Sequence, residues 1–139
     1  LSGEIPRRTN FEKGDPNMTA WDETGRAIKP DPLNDDLSLL VESRKGLIVI
    51  LGCAHAGMVN ILEYATETLG YDRIYAVIGG THLGFVGPAQ FDATMGTIDR
   101  FHIEKIGVSH CTGPVNAARM HALLGERFFF GSVGAVLEA

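Results

Sequence analysis

Cysteine is scarce in this 139-residue chain: Cys53 and Cys111 are the only two, too few for a disulfide framework. A chain of this size buries roughly two thirds of the surface its unfolded form exposes, so a hydrophobic core can hold it without covalent staples. No apolar run approaches the ~20 residues that a bilayer-spanning helix requires, and no charged, apolar and cleavage-site series opens the chain. Basic residues are outnumbered, 12 Lys and Arg against 17 Asp and Glu, and the net charge of -5 repels a nucleic-acid backbone on average. These absences point to a soluble, unsecreted protein with reduced thiols, expected in the cytoplasm, with neither nucleic acid nor membrane as a partner. The chain also lacks a Gly-x-Ser-x-Gly elbow and a Gly-x-x-x-x-Gly-Lys-Ser/Thr loop, so the usual serine hydrolases and P-loop nucleotide enzymes lack their central element. No methionine precedes Leu1, and the numbering is expected to start inside a longer gene product.

What is present divides into two parts. Residues 1–36 hold Pro6, Pro16, Pro30 and Pro32, several Asp and Asn, and Trp21, without helical or alternating periodicity; they read as an extended, largely irregular arm, with Trp21 tilting it toward packing. Residues 37–139 form the globular unit. Leu37–Glu42 and Leu47–Leu51 read as a hairpin across a turn at Ser43–Gly46. The second strand runs into Gly52-Cys53-Ala54-His55-Ala56-Gly57, and Met58, Ile61, Leu62, Ala65 and Leu69 then recur at helical spacing until Gly70. The same unit repeats: a strand from Arg73 to Ile78 ends in Gly79-Gly80-Thr81-His82-Leu83, followed by a helix from about Phe91 to Phe101. A third short strand, Ile106–Ser109, ends in His110-Cys111-Thr112-Gly113-Pro114, followed by a helix from Val115 to Leu124. Phe128 opens a last strand expected to run toward Val136 and Leu137. The alternation is that of an α/β fold.

Three successive strands therefore finish at His55, His82 and His110. In an α/β sheet the carboxyl ends of neighbouring parallel strands share an edge, and ligands bind in the crevice outside it. Imidazole is a common nitrogen ligand for zinc and iron, and glycine-rich turns let a metal or anion approach the backbone. Cys53 and Cys111 read either as thiolate ligands or as small apolar fillers. His102 and His121 fall within helical patterns and read as structural or surface residues. The helix after His110 turns its positive end toward the same edge, suited to a phosphate or carboxylate of a small-molecule substrate, with Gly80, Thr81 and Thr112 as candidate substrate contacts.

The series Ser2-Gly3-Glu4-Ile5-Pro6-Arg7, Lys45 to Gly57, Ile78-Gly79-Gly80-Thr81-His82-Leu83 and Ser109-His110-Cys111-Thr112-Gly113 resembles the metallo-β-lactamase-fold proteins known as dihydropterin-ribofuranosylaminobenzene phosphate synthases. The resemblance implies an αββα sandwich of two similar halves with one or two metal ions at the edge of the central sheets, of which this chain would be the carboxy-terminal half. The superfamily's His-x-His-x-Asp-His run, which supplies most metal ligands, is absent here. By this resemblance His110 matches the last metal-binding histidine and His55 is the next candidate ligand. Cys53 stands where the superfamily usually has a metal-bridging aspartate. His82 either ligates metal or touches substrate, and is the candidate catalytic residue.

The cofactor implied is a divalent metal, zinc foremost, with iron or manganese as alternatives. The expected activity is metal-dependent hydrolysis, in a site completed by an amino-terminal half from outside this chain. A pterin-linked synthase and a metal-free binding module are the alternatives. A half-sandwich leaves one apolar sheet face open, so pairing with the missing half, or self-association, is expected.

Overall fold

In the computed structural model, which describes residues 1–139, a five-stranded sheet in the order β3-β4-β5-β6-β7 organises the chain. Its strands are β3 (Ser38–Ser43), β4 (Gly46–Leu51), β5 (Ile74–Gly80), β6 (Lys105–Ser109) and β7 (Phe128–Phe130). A separate two-stranded hairpin, β1 (Thr19–Trp21) with β2 (Ile28–Pro30), precedes it. β3 and β4 are antiparallel, as a short turn requires, whereas β4, β5, β6 and β7 are parallel and joined through helices. These helices are α1 (Met58–Glu63), which continues as a π-helical turn over Tyr64–Thr68, α2 (Pro88–Arg100) and α3 (Pro114–Leu124). Proline opens both α2 and α3, where its missing N–H leaves no helical bond unmade.

The strands bury one face in common. Leu47, Val49 and Leu51 of β4, Val77 of β5 and Ile106 and Val108 of β6 share a core with Met58, Ile61 and Leu62 of α1, Phe91 and Ile98 of α2, and Met120 and Leu124 of α3. The pairs Leu39–Ile50 and Val41–Ile48 lie on the other face, and Ile50 in turn pairs with Ile78. On that face Leu39, Val41 and Ile50 are exposed, an apolar strip with no helix over it. No helix is long and apolar enough to cross a membrane.

The arm departs from the sequence reading. It contains the β1–β2 hairpin, whose loop is held by Asp22: its Oδ1 accepts the N–H of Thr24 and of Arg26 at 3.0 and 2.9 Å. Trp21, expected to pack, is 63% exposed and sits opposite an equally exposed Ile28. Elsewhere the arm is pinned to the globular unit. Ile5 joins the core, the Ser2 N–H donates to the Ser38 carbonyl at 2.8 Å, and the Ser38 N–H donates back to Ser2 Oγ at 3.0 Å. At the other end of the chain, β7 stops at Phe130 instead of continuing toward Val136. Gly131 keeps one further bond, to the Val108 carbonyl, and no strand follows.

Candidate metal centre

The carboxyl ends of β4, β5 and β6 meet at one edge, and each leads into a turn with a non-glycine residue in the left-handed region. Ala54 has φ 56°, His82 φ 54° and His110 φ 52°. Such conformations cost an L-residue roughly 1–2 kcal/mol and persist where the surroundings over-determine them, often at functional sites. The turns interlock through their smallest residues. The Gly80 N–H donates to the Gly52 carbonyl at 3.1 Å, and a β-carbon on Gly80 would lie 2.8 Å from Cys111 Sγ and 2.7 Å from the Gly52 oxygen. The Cys111 thiol donates to the Cys53 carbonyl at 3.3 Å and accepts the His82 N–H at the same distance.

Two groups of donors result. One ligand atom each of Cys53, His110 and Cys111 lies within 4.8 Å of the other two. On the turns after β4 and β5 the rings of His55 and His82 stand 4.6 Å apart, tilted by 56°. Both Nδ1 atoms of this pair are buried without a hydrogen-bond partner, and buried nitrogens in that state are costly unless something else satisfies them.

Burial, and after it the neighbouring His55 ring, holds the His82 pKa below the usual histidine range, leaving a neutral imidazole at pH 7. Burial likewise pushes the Cys111 thiol up to about 11. Zinc bound by sulfur at about 2.3 Å and nitrogen at about 2.0 Å brings its ligands to about 3.5 Å of each other, so the cysteine and His110 donors need only a small inward movement. The donor set fits a divalent metal: two thiols and imidazoles are what zinc takes, and the orphaned nitrogens are of the kind that a cation satisfies.

Of the residues singled out from the sequence, the structure thus brings Cys53 and His110 together with Cys111, and pairs His55 with His82. The threonines sit deeper. Thr81 and Thr112 are 2% and 1% exposed; Thr112 Oγ1 accepts the Thr81 N–H at 3.2 Å and lies 3.0 Å from the Thr81 hydroxyl, so the two tie the β5 and β6 turns together. Gly80 is the contact point of all three turns. His82 borders a cavity of about 280 Å³ that also contains Lys13, Asp15 and Gln90. His110 and Thr112 border another of about 270 Å³, reaching to Phe130. His102 and His121 are exposed and lie outside both donor groups.

Sequence reasoning assigned no role to Arg7 or Asp36 of the arm. The Arg7 guanidinium donates to the His55 carbonyl at 2.6 Å and to the Pro32 carbonyl at 2.9 Å, and the Asp36 carboxylate accepts the His55 N–H at 2.7 Å. The only signal was the motif Ser2 to Arg7, read as a likeness without a role.

Over 98% of its length the chain superposes on the crystal structure of a metal-dependent hydrolase of the beta-lactamase superfamily, with a TM-score of 0.77 at 24% sequence identity, covering 56% of that protein. The fold is that of the metallo-β-lactamase superfamily. No family model matches the sequence. Among curated proteins, this metallo-β-lactamase-fold chain is homologous to the 7,8-dihydropterin-6-methyl-4-(beta-D-ribofuranosyl)-aminobenzene-5'-phosphate synthase of Methanocaldococcus jannaschii, 34% identical over 114 residues, which are 80% of this chain and 38% of the synthase. An uncharacterised protein of the same organism is 28% identical over 139 residues, 99% of this chain and 48% of that protein. The chain therefore spans about half or less of the length of these curated relatives.

Proposed function

We propose that this chain supplies part of the active site of a metal-dependent hydrolase. The observation that carries the reading is the meeting of Cys53, His110 and Cys111 within 4.8 Å of one another, on a sheet edge whose turns also carry two buried, unpartnered imidazole nitrogens. His110 and Cys53 are the first ligands in this reading, with Cys111 beside them and His55 from the adjoining pair; zinc is the metal that two sulfurs and imidazole favour, ahead of iron or manganese. A divalent metal there supplies Lewis-acid polarisation of a substrate oxygen and acidifies water toward neutrality.

The chain's own residues do the rest. His82, kept neutral by burial, either joins the metal's ligands through its unpartnered Nδ1 or accepts a proton at the reacting centre and then returns it. The β5 and β6 turns, locked by Thr81, Thr112 and Gly80, form the wall against which a small, phosphorylated substrate rests. These donors come from turns that do not include the superfamily's first ligand cluster, so the metal is held weakly by this chain alone, and a segment outside it, seated on the exposed apolar strip of Leu39, Val41 and Ile50, supplies further ligands. A second reading, favoured by the homology to the synthase of Methanocaldococcus jannaschii, is a pterin-linked synthase using the same centre.

Metal content and Co(II) absorption decide whether the centre exists. The purified chain should take up Zn(II) or Co(II), the latter with sulfur-to-cobalt charge-transfer absorption, and Cys53→Ser, Cys111→Ser and His110→Ala should each weaken it. Equal metal content in all four proteins would leave a metal-free binding module as the better account. Assays of a longer protein containing this segment, on phosphodiesters, lactones and a pterin donor, separate hydrolase from synthase.

A further inference from the structure

The His55 peptide is held from both sides by the arm. Its N–H donates to Asp36 Oδ2 at 2.7 Å, and its carbonyl accepts from Arg7 Nη1 at 2.6 Å. These contacts span 19 and 48 residues of sequence, so neither is a by-product of local turn geometry. The other guanidinium nitrogen of Arg7 donates to the Pro32 carbonyl at 2.9 Å, tying the segment that carries Asp36 to the one that carries Arg7. Asp36 also reaches over the start of the turn: a β-carbon on Gly52 would stand 3.3 Å from its Oδ1. Preceding His55, Ala54 is in the left-handed region at φ 56°, a conformation that the turn has to be held in. The side chain so placed carries a buried, unpartnered Nδ1 and faces the His82 ring.

We infer that Arg7 and Asp36 are positioning residues that aim the His55 imidazole at the metal centre, an assignment that rests on the reading of that centre as metal-binding. A planar guanidinium with two parallel donors can take two carbonyls in fixed geometry, which a lysine ammonium cannot. A carboxylate accepting a backbone N–H fixes the peptide plane, and with it the direction in which the side chain leaves the backbone. Outer contacts of this kind on metal-ligating residues are typically worth about 10–100-fold in metal affinity.

The experiment compares Arg7→Met, Arg7→Lys, Asp36→Ala and Asp36→Asn with His55→Ala and with Arg8→Ala, a neighbour whose guanidinium pairs with Glu67 instead. In the metal-free chain, the NOE between the His55 and His82 rings and slow exchange of the His55 amide are read by NMR. Zn(II) affinity is read by chelator competition. Arg7→Met and Asp36→Ala should lose the ring–ring NOE and the slow amide while the rest of the spectrum stays dispersed, and should bind Zn(II) about 10–100-fold more weakly. Asp36→Asn, which keeps an acceptor oxygen, should recover much of both readouts; Arg7→Lys should not, and Arg8→Ala should leave them unchanged.

Loss of global stability with NOE and affinity retained would overturn the positioning role and leave Arg7 and Asp36 as structural ties. If His55→Ala binds Zn(II) as the parent does, the ligand assignment fails and the inference with it. If His55→Ala weakens binding and the arm variants do not, the inference alone fails.

Discussion

Glu12 fills the space that a side chain at Gly57 would take: a β-carbon there would stand 2.3 Å from Glu12 Oε2. With that space free, the carboxylate accepts the N–H groups of Val59 and Asn60 at 2.7 and 2.8 Å, capping α1 from a position 47 residues away. Asn60 returns the contact, its Oδ1 accepting the Arg8 and Thr9 N–H groups at 2.8 and 2.9 Å. Helix α1 has no cap of its own, since its N-cap residue is Gly57. The arm thus completes the helix that leads away from the His55 turn.

Removing this cap should cost stability. Glu12→Ala leaves two helix-terminal N–H groups without their acceptor, a loss of about 1–2 kcal/mol, or roughly 4–8 °C in unfolding midpoint for a chain of this size. Gly57→Ala should cost more, because at φ 101° an L-residue is strained even before its β-carbon meets Glu12. Thermal unfolding of the metal-free proteins checks both. A Gly57→Ala protein as stable as the parent would mean that Glu12 does not sit over the turn.

The same carboxylate gives stability a pH dependence. Burial raises the Glu12 pKa above the usual glutamate range, and the helix N–H groups, which pull the other way, only partly offset it. A carboxyl whose folded pKa exceeds its unfolded value binds its proton more tightly when folded. Its contribution is therefore fully present below the unfolded pKa, about 4.3, and is lost as pH rises through the folded value. The difference in unfolding free energy between the parent and Glu12→Gln, measured without metal, should shift against the parent as pH rises through that window. A difference that is flat or of opposite slope contradicts the burial argument.

His110 is exposed and strained at once, with φ 52° at the end of β6. If its place is kept for metal binding, His110→Gly should relieve a left-handed cost of roughly 1–2 kcal/mol. About 0.5–1 kcal/mol of that is offset by the freedom that glycine gives the unfolded chain. The expected result is a metal-free protein as stable as the parent or up to ~1.5 kcal/mol more so, with weaker Zn(II) binding. Clear destabilisation of the apo protein would make His110 a structural residue.

Much of this was legible from local pattern. The apolar run Leu47–Leu51 and the recurrence of strand, glycine turn and helix are periodic signals, and they located the sheet edge with His55, His82 and His110 on it. Partnership across the edge was less legible, because it depends on register. That His55 pairs with His82 follows from β4 lying beside β5, and that Cys111 meets Cys53 follows from the close approach that Gly80 permits. The β1–β2 strands, three residues each, are too short to show alternation. The roles of Arg7, Glu12 and Asp36 rest on hydrogen bonds to distant backbone, which leave no periodic trace.

Gly80 and Gly96 offer a direct contrast between a glycine that the site requires and one that it does not. At Gly80 a β-carbon meets a backbone oxygen of Gly52 at 2.7 Å and Cys111 Sγ at 2.8 Å. The backbone oxygen cannot turn away, so the β4 and β5 turns must spread, at about 1–3 kcal/mol for overpacking, and the spacing of Cys53 from Cys111 changes with them. At Gly96, inside α2, a β-carbon meets nothing within 4 Å. Gly96→Ala should therefore stabilise the chain by roughly 0.5–1 kcal/mol through helix propensity, and leave Zn(II) affinity alone. Gly80→Ala should destabilise it and weaken Zn(II) binding together. Were Gly80→Ala to bind Zn(II) as the parent does despite its lower stability, the two cysteines would not share the metal, and the site would have to be rebuilt around His55 and His82.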